Sequence, residues 1–164
     1  MKRLLLVRHA KSSWDDPKLA DFDRPLNERG LTAASFMGEL MAGRGLEPDM
    51  IVSSPAKRAI QTATMIKESG GFEAPIRLDE RIYEASPQAL SQIASEFSIE
   101  DEKVMMVGHN PGFEGLILFL TGALEPMPTA ALAVIDLDIE KWSELQGGCG
   151  KVVKIIRPKN EMQK

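Results

Sequence analysis

The chain has 164 residues, 43% of them hydrophobic and 27% charged, with a formal net charge of −4. That is one domain's length with enough apolar residue to bury a core, which excludes a disordered chain, and the mildly acidic balance argues against nucleic-acid or anionic-membrane binding. A single cysteine, Cys149, excludes an internal disulfide and a Cys-rich zinc site, and the only histidines are His9 and His109, with no paired-histidine metal spacing.

Leu4–Val7 is a short apolar run bounded by charge, the pattern of a strand buried on both faces. It is too short for a signal-peptide core or a membrane span, and no other stretch reaches membrane length, so a cytoplasmic protein with no membrane partner is expected. Residues Trp14–Pro25 form a polar loop carrying Asp15, Asp16 and Asp21, open to two readings: a solvated surface loop or a flap facing substrate. Asn27 is an N-cap for a helix whose apolar positions Leu31, Ala34, Met37 and Met41 share a face, stopped by Gly43 and Gly45. A strand at Met50–Val52 follows, then a helix over Ala56–Glu68 with Pro55 in its first turn and Gly70-Gly71 as its stop. A third short strand precedes Arg81–Ala85. Helices opened by Pro87 and Pro111 run through Phe97 and Leu120, with a strand at Val104–Val107 between them. Leu132–Leu137 and Val152–Ile156 close the pattern as an antiparallel hairpin or sheet edge. Strand–helix alternation predicts a three-layer α/β/α domain with a mainly parallel central sheet over residues 1–157, and a charged tail, 158–164, that frays.

Ligands of open α/β sheets sit at the carboxyl ends of strands. Arg8-His9 follow the first strand, Ser53-Ser54-Pro55 with Arg58 follow the second, and Gly108-His109-Asn110-Pro111-Gly112 follow the fourth. Each has a plain structural alternative: a histidine that caps a turn, an arginine that solvates a helix or pairs with the acidic loop. Their joint occurrence at strand ends weighs against those alternatives and suits a phosphate site. Arginine forks match phosphate oxygens, helix N-termini add N–H donors, and a neutral imidazole is a competent nucleophile toward phosphorus. The arginines supply the positive charge, so neither a metal nor a cofactor is expected.

These residues carry a resemblance. Leu-Leu-Val-Arg-His-Ala, Asp23-Arg24-Pro25-Leu26-Asn27-Glu28-Arg29-Gly30, Ser53-Ser54-Pro55-Ala56-Lys57-Arg58-Ala59-Ile60-Gln61-Thr62 and Val107-Gly108-His109-Asn110-Pro111 resemble, in order, the motifs of the histidine phosphatase superfamily, which includes the phosphoglycerate mutases. The short length and the opening Arg-His-Ala-Lys-Ser-Ser-Trp fit its compact branch, typified by SixA phosphohistidine phosphatases. Ala10 stands where the family usually has glycine, and Lys11 where an acidic residue is common.

The resemblance implies a phosphoglycerate mutase-like fold and a catalytic set of His9, Arg8, Arg58, His109 and Glu84. His9 is the implied nucleophile, and Arg8, Arg58, His109 and Asn110 are the implied phosphate ligands. Glu84 is the implied proton donor, against the alternative of a solvated carboxylate beside Arg81. The expected activity is metal-independent hydrolysis of a phosphorylated protein histidine or a small phosphate ester by a monomer or small homo-oligomer. The alternatives are a mutase-like phosphotransferase and a non-catalytic phosphate-binding module.

Overall fold

The structure, a computed structural model, describes residues 1–162. Its strands are β1 (Lys2–Arg8), β2 (Met50–Ser53), β3 (Ile76–Leu78), β4 (Lys103–Gly108), β5 (Leu132–Leu137) and β6 (Gly150–Ile156). Its helices are α1 (Glu28–Gly43), α2 (Lys57–Gly70), α3 (Pro87–Ser95), α4 (Gly112–Thr121) and α5 (Pro158–Met162). The six strands form one sheet in the order β3-β2-β4-β1-β5-β6. β1, β4, β2 and β3 are parallel, with Leu4 opposite Val104 and Val52 opposite Met106. β5 and β6 add antiparallel, so the last two strands are the sheet edge as well as a hairpin.

Both faces of the sheet are covered, and alternation along β1 shows how. Leu4 and Leu6 enter a core with Ile93 of α3 and with Phe113 and Leu116 of α4. Leu5 and Val7 point the other way, to Met37 and Met41 of α1 and Ile66 of α2. All four β1 side chains are fully buried. This period of two feeding two apolar layers is what an apolar run such as Leu-Leu-Leu-Val requires, each side chain contributing roughly 1.5–3 kcal/mol on burial.

Local chemistry sets the helix ends. The Asn27 side chain accepts from the Gly30 N–H (2.8 Å) and that of Ser86 from the Ala89 N–H (3.1 Å), so α1 and α3 start where their caps are. α2 begins at Lys57 with Ala56 as N-cap, so Pro55 precedes the helix instead of occupying its first turn. It runs on to Gly70 because Gly71, at φ 67°, supplies the left-handed cap. Pro111 likewise stands at the N-cap of α4, after a cis Asn110–Pro111 peptide. α3 stops at Ser95, where the Phe97 N–H turns back to the Ala94 carbonyl (3.2 Å).

The tail is a correction. Pro158–Met162 does not fray; it forms α5, with Pro158 buried and Glu161 paired to Arg44 at 2.9 Å. Proline is favoured at a helix start, and the pairing docks α5 against the end of α1. The remainder of the expected tail lies outside the described residues. No helix among the described residues is long and apolar enough to cross a membrane.

Candidate phosphoryl-transfer site

The carboxyl ends of β1, β2 and β4 are neighbours in the sheet, and they bring Arg8, His9, Ser54 and His109 together, with Arg58 added from the first turn of α2. His9 is pinned through its backbone, its N–H donating to the Gly108 carbonyl (2.9 Å). Its Nδ1 lies 2.8 Å from the Ala10 carbonyl, an acceptor only, so Nδ1 carries the proton and Nε2 keeps the lone pair. Nε2 faces Arg58, whose Nε–H approaches it at 3.4 Å. The His9 and His109 rings are 5.2 Å apart, and His9, Arg58 and Arg24 are each 6–7% exposed.

The string around Arg58 is explained residue by residue. Ser54 Oγ lies 2.8 Å from His109 Nε2 and accepts from the Ala56 N–H (3.2 Å). Gln61 accepts from the Leu26 N–H (2.7 Å), tying down the loop that carries Arg24. Thr62 Oγ1 accepts from the Ala10 N–H (2.9 Å) and donates to the Arg58 carbonyl (2.7 Å), fixing the residue after the implied nucleophile. Ala10 is fully buried there, so the site accommodates the methyl that stands where the family usually has none.

Two buried side-chain polar atoms have no hydrogen-bond partner among the described residues: Arg8 Nε and His109 Nδ1. Buried donors are almost always satisfied, and both unsatisfied ones belong to this cluster. Arg8 is otherwise held by Nη1 donating to the Met127 carbonyl (3.0 Å).

The loop before α1 settles between its two readings. Asp15 and Asp16 are exposed, as a solvated loop would have them. Asp21 instead turns toward the site: its carbonyl and Oδ2 accept from Arg58 Nη1 (2.7 Å) and Nη2 (3.0 Å), and Tyr83 donates its hydroxyl to the same Oδ2 (2.7 Å). Arg24 holds Asp21 Oδ1 (3.1 Å) and Ser12 Oγ (2.7 Å) under the Trp14 ring, 3.6 Å from its centroid. The sequence signals Asp21 through the flap reading of its loop and Arg24 through its motif; it carries no signal for the part Tyr83 plays.

Asn110 lines both cavities of the site. Its amide donates to Glu114 Oε2 (2.7 Å) and the Met127 carbonyl (2.9 Å), and its Oδ1 accepts from the Glu114 N–H (3.3 Å), so it tethers the Met127 segment to α4. Glu84 stands apart from the cluster. It is exposed, at φ 56°, and no hydrogen bond or ion pair with a described residue holds its carboxylate. Arg81 pairs with Asp79 (2.7 Å) and Glu96 (2.8 Å), not with Glu84.

Two cavities meet at Arg58 and His109. One of about 390 Å³ contains His9, Arg8, Arg24, Lys11 and Trp14. The other, about 740 Å³, is lined by Asp21, Tyr83, Glu84 and the start of α4. Gly112 lets α4 begin there, since a Cβ at that position would meet the Ala85 carbonyl oxygen at 2.6 Å. Among the described residues, no group of three or more His, Cys, Asp or Glu side chains converges to hold a metal ion.

The electrostatics favour an anion. Burial, with added repulsion from Arg58, Arg8 and Arg24, lowers His9 to about 4 against the opposing hydrogen bond to Ala10. Burial and the nearby His9 and Arg58 lower His109 to about 3. Asp21 is lowered to about 2, first by the Tyr83 hydroxyl and then by its arginines. Both imidazoles are therefore neutral at neutral pH. An unfolded histidine takes a proton below about 6.5 while folded His9 refuses it until about 4, so stability is lost as pH falls through that window. The loss from His9 alone is on the order of 3 kcal/mol. Urea midpoints measured at pH 7.5, 5.5 and 4.5 should fall steeply, and His109→Gln should flatten the slope. A parallel decline in parent and variant would refute the assignment.

Paired arginine forks, two neutral histidines and unsatisfied buried polar atoms converge at the strand ends of an α/β/α frame, an arrangement suited to an anion. The chain belongs to the histidine phosphatase superfamily (branch 1), whose family model matches residues 4–112. A candidate phosphohistidine phosphatase SixA of Agrobacterium tumefaciens is 32% identical, with a TM-score of 0.81 over 96% of this chain and 98% of that one. The tungstate complex of a protein histidine phosphatase SixA has the same fold, with a TM-score of 0.84 over 97% of this chain and 99% of that one at 20% identity. An uncharacterised chloroplastic protein of Arabidopsis thaliana is 34% identical over 87% of this chain and 70% of its own length. A 2,3-bisphosphoglycerate-dependent phosphoglycerate mutase of Streptomyces avermitilis is 38% identical over 60% of this chain, but only 42% of its own length. Family and fold support a phosphatase or phosphotransferase activity.

Proposed function

We propose that the protein is a metal-independent phosphatase that works through a phosphohistidine at His9. The observation that carries this is the tautomer of His9: Nδ1–H is held by the Ala10 carbonyl, and the Nε2 lone pair faces the arginines. Nε2 attacks phosphorus, the P–N bond forms, and the bond to the leaving group breaks with its electron pair. Arg8 and Arg58 hold the phosphoryl oxygens. His109, its Nε2 accepting from Ser54, offers Nδ1–H to one of them as charge redistributes. Water then attacks the phosphohistidine, the P–N bond breaks and His9 is restored.

The substrate we favour is a phosphorylated protein histidine, with small phosphate esters as the second class. An imidazole leaves without a strong acid, whereas an alkoxide needs a proton, and Glu84 in the larger cavity is the group that would supply it. Steady-state kinetics on a phosphohistidine protein and a panel of phosphate esters test this. Phosphohistidine should have the higher kcat/KM, and Glu84→Gln should lower ester turnover about 10²-fold while sparing phosphohistidine. Preference for one sugar phosphate by orders of magnitude would sink the protein-phosphatase reading. The similarity to phosphoglycerate mutases favours a second reading, a mutase-like phosphotransferase, which transfer of phosphate between two positions of phosphoglycerate without release would establish.

A further inference from the structure

A third cavity, about 640 Å³, adjoins the phosphoryl site. Lys11 and Thr129 line both, so the two spaces share a wall. Lys11 is held at that junction by α1: its carbonyl accepts from the Asn27 N–H (3.0 Å), and glycine at position 30 leaves room for its backbone. The other cations of the cavity are Arg29, from the first turn of α1, and Lys159, from α5; Glu28 is its one carboxylate.

Exposed cations without a carboxylate partner occur elsewhere on the chain, as at Lys18, Lys57 and Lys154; what distinguishes these three is that they line one concave space together. Arg3, Arg24, Arg44, Arg58, Arg81 and Arg157 each hold a carboxylate. Lys11, Arg29 and Lys159 are exposed and make no side-chain hydrogen bond or ion pair with any described residue. In a chain of net charge −4, three unpaired cations around one concave space beside a phosphate site are a local excess of positive potential. Cations lining a cleft concentrate anions in it, and charge-assisted contacts there are stronger than neutral ones.

We infer that this cavity is a second anionic subsite, which takes a carboxylate or phosphate carried by the same substrate molecule as the reacting phosphoryl group. The inference rests on the proposed phosphoryl site, since a substrate must engage both spaces at once. Lys11 sits between the two groups, and Arg29 and Lys159 hold the distal one. An ester whose only anionic group is the phosphate, such as p-nitrophenyl phosphate, engages the catalytic half only.

Calorimetry with orthophosphate and tripolyphosphate, on the parent and on the Arg29→Gln/Lys159→Gln double variant, tests it. Tripolyphosphate should bind the parent about 10-fold tighter or more, and the double variant should bring the two anions within about threefold while orthophosphate affinity stays unchanged. Both changes lie on exposed helix positions, and p-nitrophenyl phosphate turnover should survive them. Two turnover pairs identify the source of the anion: phosphoglycolate against ethyl phosphate, and a phosphohistidine peptide flanked by glutamates against one flanked by lysines. Selectivity lost from either pair in the variant supports the subsite and names its substrate. An unchanged tripolyphosphate preference, with turnover intact, overturns the subsite alone. A parent that neither turns over p-nitrophenyl phosphate nor binds orthophosphate overturns the phosphatase reading instead.

Discussion

Replacing His9 with alanine should abolish turnover of p-nitrophenyl phosphate, lowering kcat by about 10⁴-fold or more, the scale of loss when a covalent nucleophile is removed. The same change should eliminate the acid-labile, alkali-stable phosphoenzyme that the parent forms, and mass spectrometry of the trapped parent should place the phosphate on His9. The expectation is severe because the chain has only two histidines. His109 cannot substitute: its Nε2 is occupied by Ser54 Oγ, its Nδ1 is buried, and burial keeps the ring neutral. His109→Ala should therefore behave differently, slowing turnover about 10²-fold while still labelling His9, since it removes a hydrogen bond to the transition state and not the nucleophile. A His9→Ala protein as active as its parent would end the phosphohistidine mechanism. Equal phosphoenzyme in the parent and in His9→Ala would move the nucleophile elsewhere.

What could be read from the sequence divides along a physical line. Arg8, His9 and His109 were legible because each directly follows an apolar strand, and in a parallel sheet strand ends converge whatever the intervening loops do. Arg58 was legible because a helix start fixes it relative to Ser54 and Thr62 a few residues away. The acidic loop was legible as a partner for an arginine, but which carboxylate meets which side chain was not, because those contacts are non-local. Asp21 meets Arg58 37 residues away and Tyr83 62 residues away, and no period or spacing encodes a side chain that reaches across the mouth of a site. The contacts of Asn110 were equally hidden: its amide reaches the Met127 carbonyl, 17 residues on. The layers of the fold were clear from apolar runs and caps. The docking of α5 was not, because a five-residue segment with three charged or polar side chains carries no pattern until Pro158 is buried and Arg44 meets Glu161.

The fork of Arg58 makes a second demand on the geometry, and Arg58→Lys should lower kcat/KM by about 10²- to 10³-fold, the cost of losing a preorganised donor to the transition state. The planar guanidinium faces three ways at once: Nη1 and Nη2 grip the carbonyl and carboxylate of Asp21, and Nε points at His9 Nε2, where phosphorus would be attacked. Lysine keeps the charge and loses the plane, so one ammonium would have to choose between Asp21 and the phosphoryl oxygens. The loss should appear in kcat as well as KM, because the donor near His9 acts on the transferring group and not merely on ground-state binding. Asp21→Asn separates orientation from charge. It preserves the backbone carbonyl contact to Nη1 and removes a negative charge beside the incoming phosphate, so its effect on kcat/KM should stay within about 10-fold. Thermal unfolding of each variant, followed by circular dichroism, checks that a buried lysine has not simply loosened α2. If Arg58→Lys retains activity within about threefold of the parent while folded, the site holds phosphate by charge alone, and the aligned fork of Arg58 is not what stabilises the transferring group.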